Sequence, residues 1–334
     1  MQFSGLFLAG LARAAVVALL ASSTLSLSAQ AQNGTLRERL AERRAQAASS
    51  PGAAADELAA ANEGPAARFA LPAGARLLAD LPYGADARQR MDVYLPASAQ
   101  DAPVIFMVHG GGWRTGDKTG RGVARHKVER WVARGIIVVS TNYRLLPEAD
   151  PAVQADDVAR ALAFAQKAAA GWGGDAARFV LMGHSAGAHL VALLNAGPQR
   201  ALALGAQPWR GAVALDSAVM DVEQSMRGRH LPMYDNAFGR DPAFWRQVSP
   251  QAVWTPGAPP LLVVCSTLRR DKPCDAGARL AAHAGALGSR VQVLGQPLKH
   301  GEINDQLGTP GAYTDAVEGF LGGLDARLMA QLRR

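Results

Sequence analysis

The stretch Phe179-Val-Leu-Met-Gly-His-Ser-Ala-Gly187 decides the fold, because an apolar run enters a glycine-flanked serine and leaves it as a helix of small and apolar residues. In Gly183-His184-Ser185-Ala186-Gly187 the turn from strand to helix is so tight that the positions two before and two after the serine must be small. Ser185 then takes a strained backbone, and its hydroxyl stands clear of the sheet. The helix beginning there aims its amide dipoles at that oxygen. A bare G-x-S-x-G is no more than a glycine-rich turn; between a strand and a helix it reads as a nucleophile.

Working outward, short β-branched runs alternate with helical segments from about residue 76 onward, the pattern of a mostly parallel central sheet covered by helices on both faces. Strands are expected at Arg76 to Leu81, Met91 to Leu95, Val104 to Val108, Ile136 to Ser140, Phe179 to Met182, Ala212 to Leu215, Leu261 to Val264 and Val291 to Leu294. The inner ones are almost continuously apolar, as strands buried on both faces are. Helices are expected at Pro151 to Ala170, Ser185 to Asn195 and Asp275 to Leu287, and a last one carries Val317, Phe320, Leu321, Leu324 and Leu328 on one face. Between two strands, Val219 to Trp254 is long enough to cover the site as a short lid, with Met233, Tyr234 and Phe238 within it.

The strand ending at Val108 opens into His109-Gly110-Gly111-Gly112-Trp113. Without β-carbons, successive backbone N–H groups approach a developing oxyanion closely, and losing one such donor costs roughly 100- to 1000-fold in rate. Trp113, directly after these glycines, has the best claim among the aromatics to line a substrate pocket.

The chain has 334 residues, 49% hydrophobic and 19% charged, which is the balance of a globular enzyme. Its net charge of +7 is spread without a basic stripe interleaved with aromatics, so nucleic acid is not the expected partner. In residues 1–31 Arg13 is the only charge, an apolar run follows from Ala14 to Ala21, and Ala29-Gln30-Ala31 offers small residues at a cleavage spacing. That is a secretory signal peptide. The run is too short for the ~20 residues that span a bilayer, and no later segment reaches that length, so the mature chain is expected to be periplasmic or secreted without a membrane span. Residues 32–75, rich in Ala, Arg, Gly and Ser, read as a linker or N-terminal extension before an α/β domain at 76–334. The two cysteines, Cys265 and Cys274, are expected to form one disulfide in an oxidising compartment; their spacing is not that of a zinc site.

With these motifs in hand, residues 84 to 325 resemble the hormone-sensitive-lipase-like and feruloyl-esterase-like carboxylesterase branch of the α/β-hydrolase superfamily. Asn142-Tyr-Arg-Leu-Leu-Pro-Glu148 followed by Asp156-Asp157 resembles that branch's Tyr-Arg-Leu-x-Pro-Glu turn and helix, and Phe238-Gly239 through Ser249-Pro250 its lid-to-strand segment. The resemblance implies oxyanion donors at the N–H groups of Gly111, Gly112 and Ala186, and structural roles for Tyr143, Arg144 and Asp156.

The base follows the last strand in the order Ser, acid, His, which places it at His300 in Leu298-Lys-His-Gly301. The acid is expected on the loop Cys265-Ser-Thr-Leu-Arg-Arg-Asp-Lys-Pro-Cys274-Asp275. Relatives carry Asp-x-x-x-Pro here, which puts Arg269 where their aspartate stands. Asp271, the central acid of the loop, is the expected third member, held against His300 by the disulfide. Asp275, placed to cap the following helix, and Asp216 and Asp221, after the preceding strand, are the alternatives. Such a site would cleave a short-chain or aromatic ester through an acyl-enzyme, with no metal or organic cofactor. Arylformamidases share both glycine motifs and cleave an N-formyl bond, and a non-catalytic binding protein on the same fold is the reading outside enzymes.

Overall fold

The computed structural model describes residues 69–334. The expected signal peptide, 1–31, and residues 32–68 of the expected linker lie outside the described residues.

Eight strands form one sheet: β1 (Arg76–Pro82), β2 (Arg90–Leu95), β3 (Ala102–Val108), β4 (Ile137–Thr141), β5 (Gly174–His184), β6 (Gly211–Leu215), β7 (Leu261–Ser266) and β8 (Val291–Gln296). Their spatial order is β1-β2-β4-β3-β5-β6-β7-β8. β1 and β2 pair antiparallel, as do β2 and β4. From β4 to β8 every pairing is parallel, so those strands all end at the same edge of the sheet.

All seven residues of β3 are buried. Their side chains alternate between two apolar layers: Val104, Phe106 and Val108 enter one, Ile105 and Met107 the other. Period-two geometry on a sheet covered on both sides requires this, and it is why the inner strands read as unbroken apolar runs.

The first layer is closed by α2 (Pro151–Ala168), α3 (Ala186–Ala196) and α8 (Pro273–Ala286), the second by α1 (Arg121–Trp131), α10 (Ala312–Gly322) and α11 (Ala326–Leu332). Short helices α4 (Gln199–Ala203), α5 (Val222–Arg227), α6 (Pro232–Phe238), α7 (Pro242–Gln247) and α9 (His300–Asp305) complete the described chain. α1 is not expected from the sequence pattern, because Arg125, Lys127 and Arg130 interrupt the apolar face made by Val123, Ala124, Val128 and Trp131. Packing also begins ahead of residue 76. Phe69 stacks on Tyr94 with ring centroids 5.9 Å apart, and Leu71 lies against the second layer.

Candidate active site

β5 runs into α3 through Ser185, whose φ of 54° and ψ of −117° lie where non-glycine residues are strained. Sterics explain the flanking glycines. A β-carbon on Gly183 would sit 2.3 Å from the carbonyl oxygen of Gly187, and one on Gly187 would sit 2.3 Å from that of Val108. The N–H of Ser185 donates to the carbonyl of Leu215 at 2.9 Å, anchoring the turn to the end of β6. The first-turn amides of α3, beginning with Ala186, have no carbonyl in their own helix to pair with and face the region of the serine.

His300, the first residue of α9, lines the same cleft as Ser185, with Gly110, Gly111, His109 and His184 among the other walls. Its partner is not Asp271. His300 Nδ1 lies 2.6 Å from Oδ2 of Asp216, the residue immediately after β6. Asp216 is fully buried, and its Oδ1 accepts from the N–H of Ser266 at 2.7 Å. Burial alone would raise this carboxyl; the hydrogen bond to His300, the charge of Arg269 and the Ser266 amide outweigh it and bring the pKa to about 2.

Asp271 faces Arg269 instead, accepting from Nε on Oδ1 at 3.0 Å and from Nη2 on Oδ2. The reason is local: the side chain that the loop sends inward is Arg269, 8% exposed, and Asp271 balances it from the outer side. Asp275 lies in the first turn of α8 with its side chain exposed, and Asp221 caps α5 by accepting from the N–H of Gln224 at 3.0 Å. The expected disulfide is present: Cys265 in β7 joins Cys274 in α8, with Cα atoms 5.1 Å apart.

In the glycine loop, Gly110 is the residue that touches the elbow, since a β-carbon there would lie 2.9 Å from Cβ of Ser185. Gly111, φ 115°, lies on the cleft wall, and Gly112, φ 58°, lies under the methyl of Met233. Trp113 does not line the cleft. It is 1% exposed, stands edge-on to Tyr234 and Phe238 of α6 at centroid distances of 5.8 and 4.9 Å, and donates from Nε1 to Nδ1 of His189 at 3.3 Å. The indole therefore holds the lid helix rather than a substrate.

The remaining motif histidines are supports. His109 donates from Nδ1 to the Gly110 carbonyl at 2.7 Å and stacks on Tyr143, whose hydroxyl donates to the His109 carbonyl at 3.0 Å. His184 donates from Nε2 to the His300 carbonyl at 3.0 Å, and His189 from Nε2 to that of Val248 at 2.7 Å. Burial lowers all three, His109 and His189 to about 4; for His184 the neighbouring His300 adds to the effect. Arg144 pairs with Asp157 at 2.7 Å, and Asp156 serves a different partner, Arg200, also at 2.7 Å.

A segment of the chain is 37% identical over 111 residues to a probable isoprenylcysteine alpha-carbonyl methylesterase of Oryza sativa subsp. japonica, covering 33% of this chain and 25% of that protein. Another comparison gives 33% identity over 118 residues to the kynurenine formamidase of Danio rerio, covering 35% of this chain and 38% of that protein. The match thus spans well under half the length of these curated relatives. In fold, the chain is similar to the crystal structure of esterase B from Lactobacillus rhamnosis, with a TM-score of 0.63 and 21% identity, covering 87% of this chain and 96% of that one. The strand order, the serine elbow and these likenesses show an α/β-hydrolase fold. The family model that matches is BD-FAE, over residues 91–207, less than half of the chain.

Proposed function

We propose that this protein is an exported serine hydrolase that cleaves short-chain or aromatic carboxylic esters, with Ser185 as nucleophile, His300 as general base and Asp216 as the acid. The observation that carries this reading is the set of contacts at the parallel-strand edge: Ser185 raised on a strained turn, His300 on the same cleft wall, and Asp216 on Nδ1 of His300 at 2.6 Å. With Nδ1–H held by Asp216, Nε2 is the nitrogen left to take a proton. His300 removes the Ser185 proton as Oγ attacks the ester carbonyl. Backbone amides of the Gly110–Gly112 loop and of Ala186 hold the oxyanion, and the proton passes to the departing alcohol. Water then cleaves the acyl-enzyme by the same route.

The packing of Met233 over Gly112 and of α6 on Trp113 supports small acyl groups. Export rests on the composition of residues 1–31 and agrees with a disulfide beside the site. The kynurenine formamidase relative favours a second reading, hydrolysis of an N-formyl amide by the same residues.

A panel of p-nitrophenyl esters of increasing chain length, with a feruloyl ester and N-formylkynurenine alongside, tests both. Highest kcat/KM on short or aromatic esters, lost in Ser185→Ala, is expected. Preference for N-formylkynurenine would select the second reading, and full activity in folded Ser185→Ala would remove both. N-terminal sequencing of the exported chain should begin at or near Gln32; retention of Met1 would overturn the export proposal.

A further inference from the structure

Arg269 occupies the position at which the family pattern has its acid, and its guanidinium reaches the catalytic pair. Nη1 lies 2.9 Å from Oδ2 of Asp216, 3.0 Å from the Asp216 carbonyl oxygen and 2.7 Å from Nδ1 of His300. The side chain is buried, and Asp271 grips its other side. The loop carrying both residues is tied at its ends, Cys265 in β7 and Cys274 in α8.

We propose that Arg269 is a positioning residue for the hydrolytic reaction, fixing the Asp216 carboxylate against His300 and setting a positive charge beside the imidazole, with Asp271 moderating that charge from behind. The proposal rests on the Ser185–His300–Asp216 reading given above.

The charge has two opposed effects. It favours ionised Asp216, which the base needs as an acceptor, and it disfavours the imidazolium that forms when Ser185 loses its proton. A guanidinium does the first job with fixed geometry, since it bonds both the side-chain oxygen and the backbone carbonyl of Asp216. The second follows from the same charge standing 2.7 Å from the imidazole nitrogen. The other groups on that side do not substitute for it. His184 from the elbow, 4.5 Å from the His300 ring by centroids, is held neutral by burial. Lys127 from α1 is directed to the Asn304 carbonyl at 2.7 Å, and the hydroxyl of Tyr313 from α10 to that of Ile303 at 2.8 Å. Lys299 and Glu302, flanking His300 in sequence, are joined to each other, the Glu302 carboxylate accepting from the Lys299 N–H at 2.8 Å.

The test is the pH profile of kcat/KM for p-nitrophenyl acetate in wild type, Arg269→Met, Arg269→Lys and Asp271→Asn, with Ser185→Ala as the control on the underlying reading. Arg269→Met should lower kcat by about 10- to 100-fold with KM little changed, and should move the acid limb upward by about one pH unit. Arg269→Lys should restore the position of the limb but only part of kcat. Asp271→Asn should move the limb the other way, to lower pH, because it leaves the guanidinium unbalanced. A merely structural ion pair would lower activity in both variants without opposite shifts. An unshifted limb in Arg269→Met, or the same direction of shift in Arg269→Met and Asp271→Asn, would overturn the proposal. If Arg269→Met does not fold, the lysine variant and Asp271→Asn decide by the same criterion. Activity retained in Ser185→Ala would instead mean that the catalytic reading has failed.

Discussion

The backbone N–H of Ser266, at the end of β7, donates to Oδ1 of Asp216, at the end of β6, over 2.7 Å. The Ser266 hydroxyl at the same time donates to the carbonyl of Leu298, two residues before His300, at 2.6 Å. One residue therefore sets the Asp216 carboxylate and the segment carrying His300 relative to each other. With Oδ1 committed to Ser266, only Oδ2 is left for the imidazole.

In Asp216→Asn, one amide position must meet a donor whichever way the group is turned. Loss of about 10⁴-fold in kcat with the fold retained is expected. Asp271→Asn should keep activity within about tenfold at its pH optimum, since its carboxylate reaches His300 only through Arg269. Steady-state kinetics with circular dichroism on both variants checks this; the reverse order of severity would restore Asp271 as the acid.

Glycine replacements should separate backbone clashes from side-chain ones. Gly187→Ala drives a methyl into the carbonyls of Val108 and His109, at 2.3 and 2.4 Å, and neither can retreat without distorting β3. A loss of about 3 kcal/mol or more in urea unfolding is expected. Gly112→Ala meets only the terminal methyl of Met233, although its φ of 58° adds strain, so about 1–2 kcal/mol is expected there. Equal losses in the two variants would contradict this account.

Trp113→Ala should empty the space between α6 and α3 and take from His189 the donor at its Nδ1. A large buried aromatic lost this way costs about 3–5 kcal/mol. Limited proteolysis should then cut within residues 219–254 before the sheet domain unfolds. An unchanged lid with a raised KM alone would return Trp113 to the substrate pocket.

Acid should destabilise the fold before it titrates Asp216. His109 and His189 are held at about 4, below the ordinary histidine value of 6.5. Between those values the unfolded chain binds more protons than the native one, so stability rises with pH and is lost as pH falls from about 6.5 toward 4. At pH 5 each group costs on the order of 2 kcal/mol relative to neutral pH. Asp216, at about 2 against 3.8, adds a further loss only as pH falls from about 4 to 2. Urea midpoints at pH 7, 6 and 5 should fall in that order; a flat profile would mean that these histidines protonate in place.

The sheet and the elbow were legible because strands buried on both faces leave unbroken apolar runs, and because the Ser185 turn tolerates only glycine at positions 183 and 187. Chain order pointed to His300, which lines the same cleft as Ser185. The carboxylate that meets it was not, because the ends of β6 and β7 converge in space while Asp216 and Asp271 lie in separate loops of the sequence. A signal was nonetheless present: Arg269 stands where an acid was due, and Arg269, Arg270 and Lys272 surround Asp271 with nearer partners, whereas Asp216 follows a wholly apolar strand. Trp113 misled because adjacency to the glycine loop says nothing about which way a residue with φ of 60° turns its ring.

The carbonyl that accepts from the Ser185 N–H belongs to Leu215, whose peptide bond leads directly into Asp216. Ser185 and Asp216 are thereby tethered to one peptide unit at the tip of β6, so that a displacement of that tip would carry both in the same direction. Under the proposed roles, nucleophile and acid share one anchor, whereas an acid on the β7 loop would stand on a second strand. In the proposed reaction, that leaves His300 and the substrate to be brought to this shared anchor.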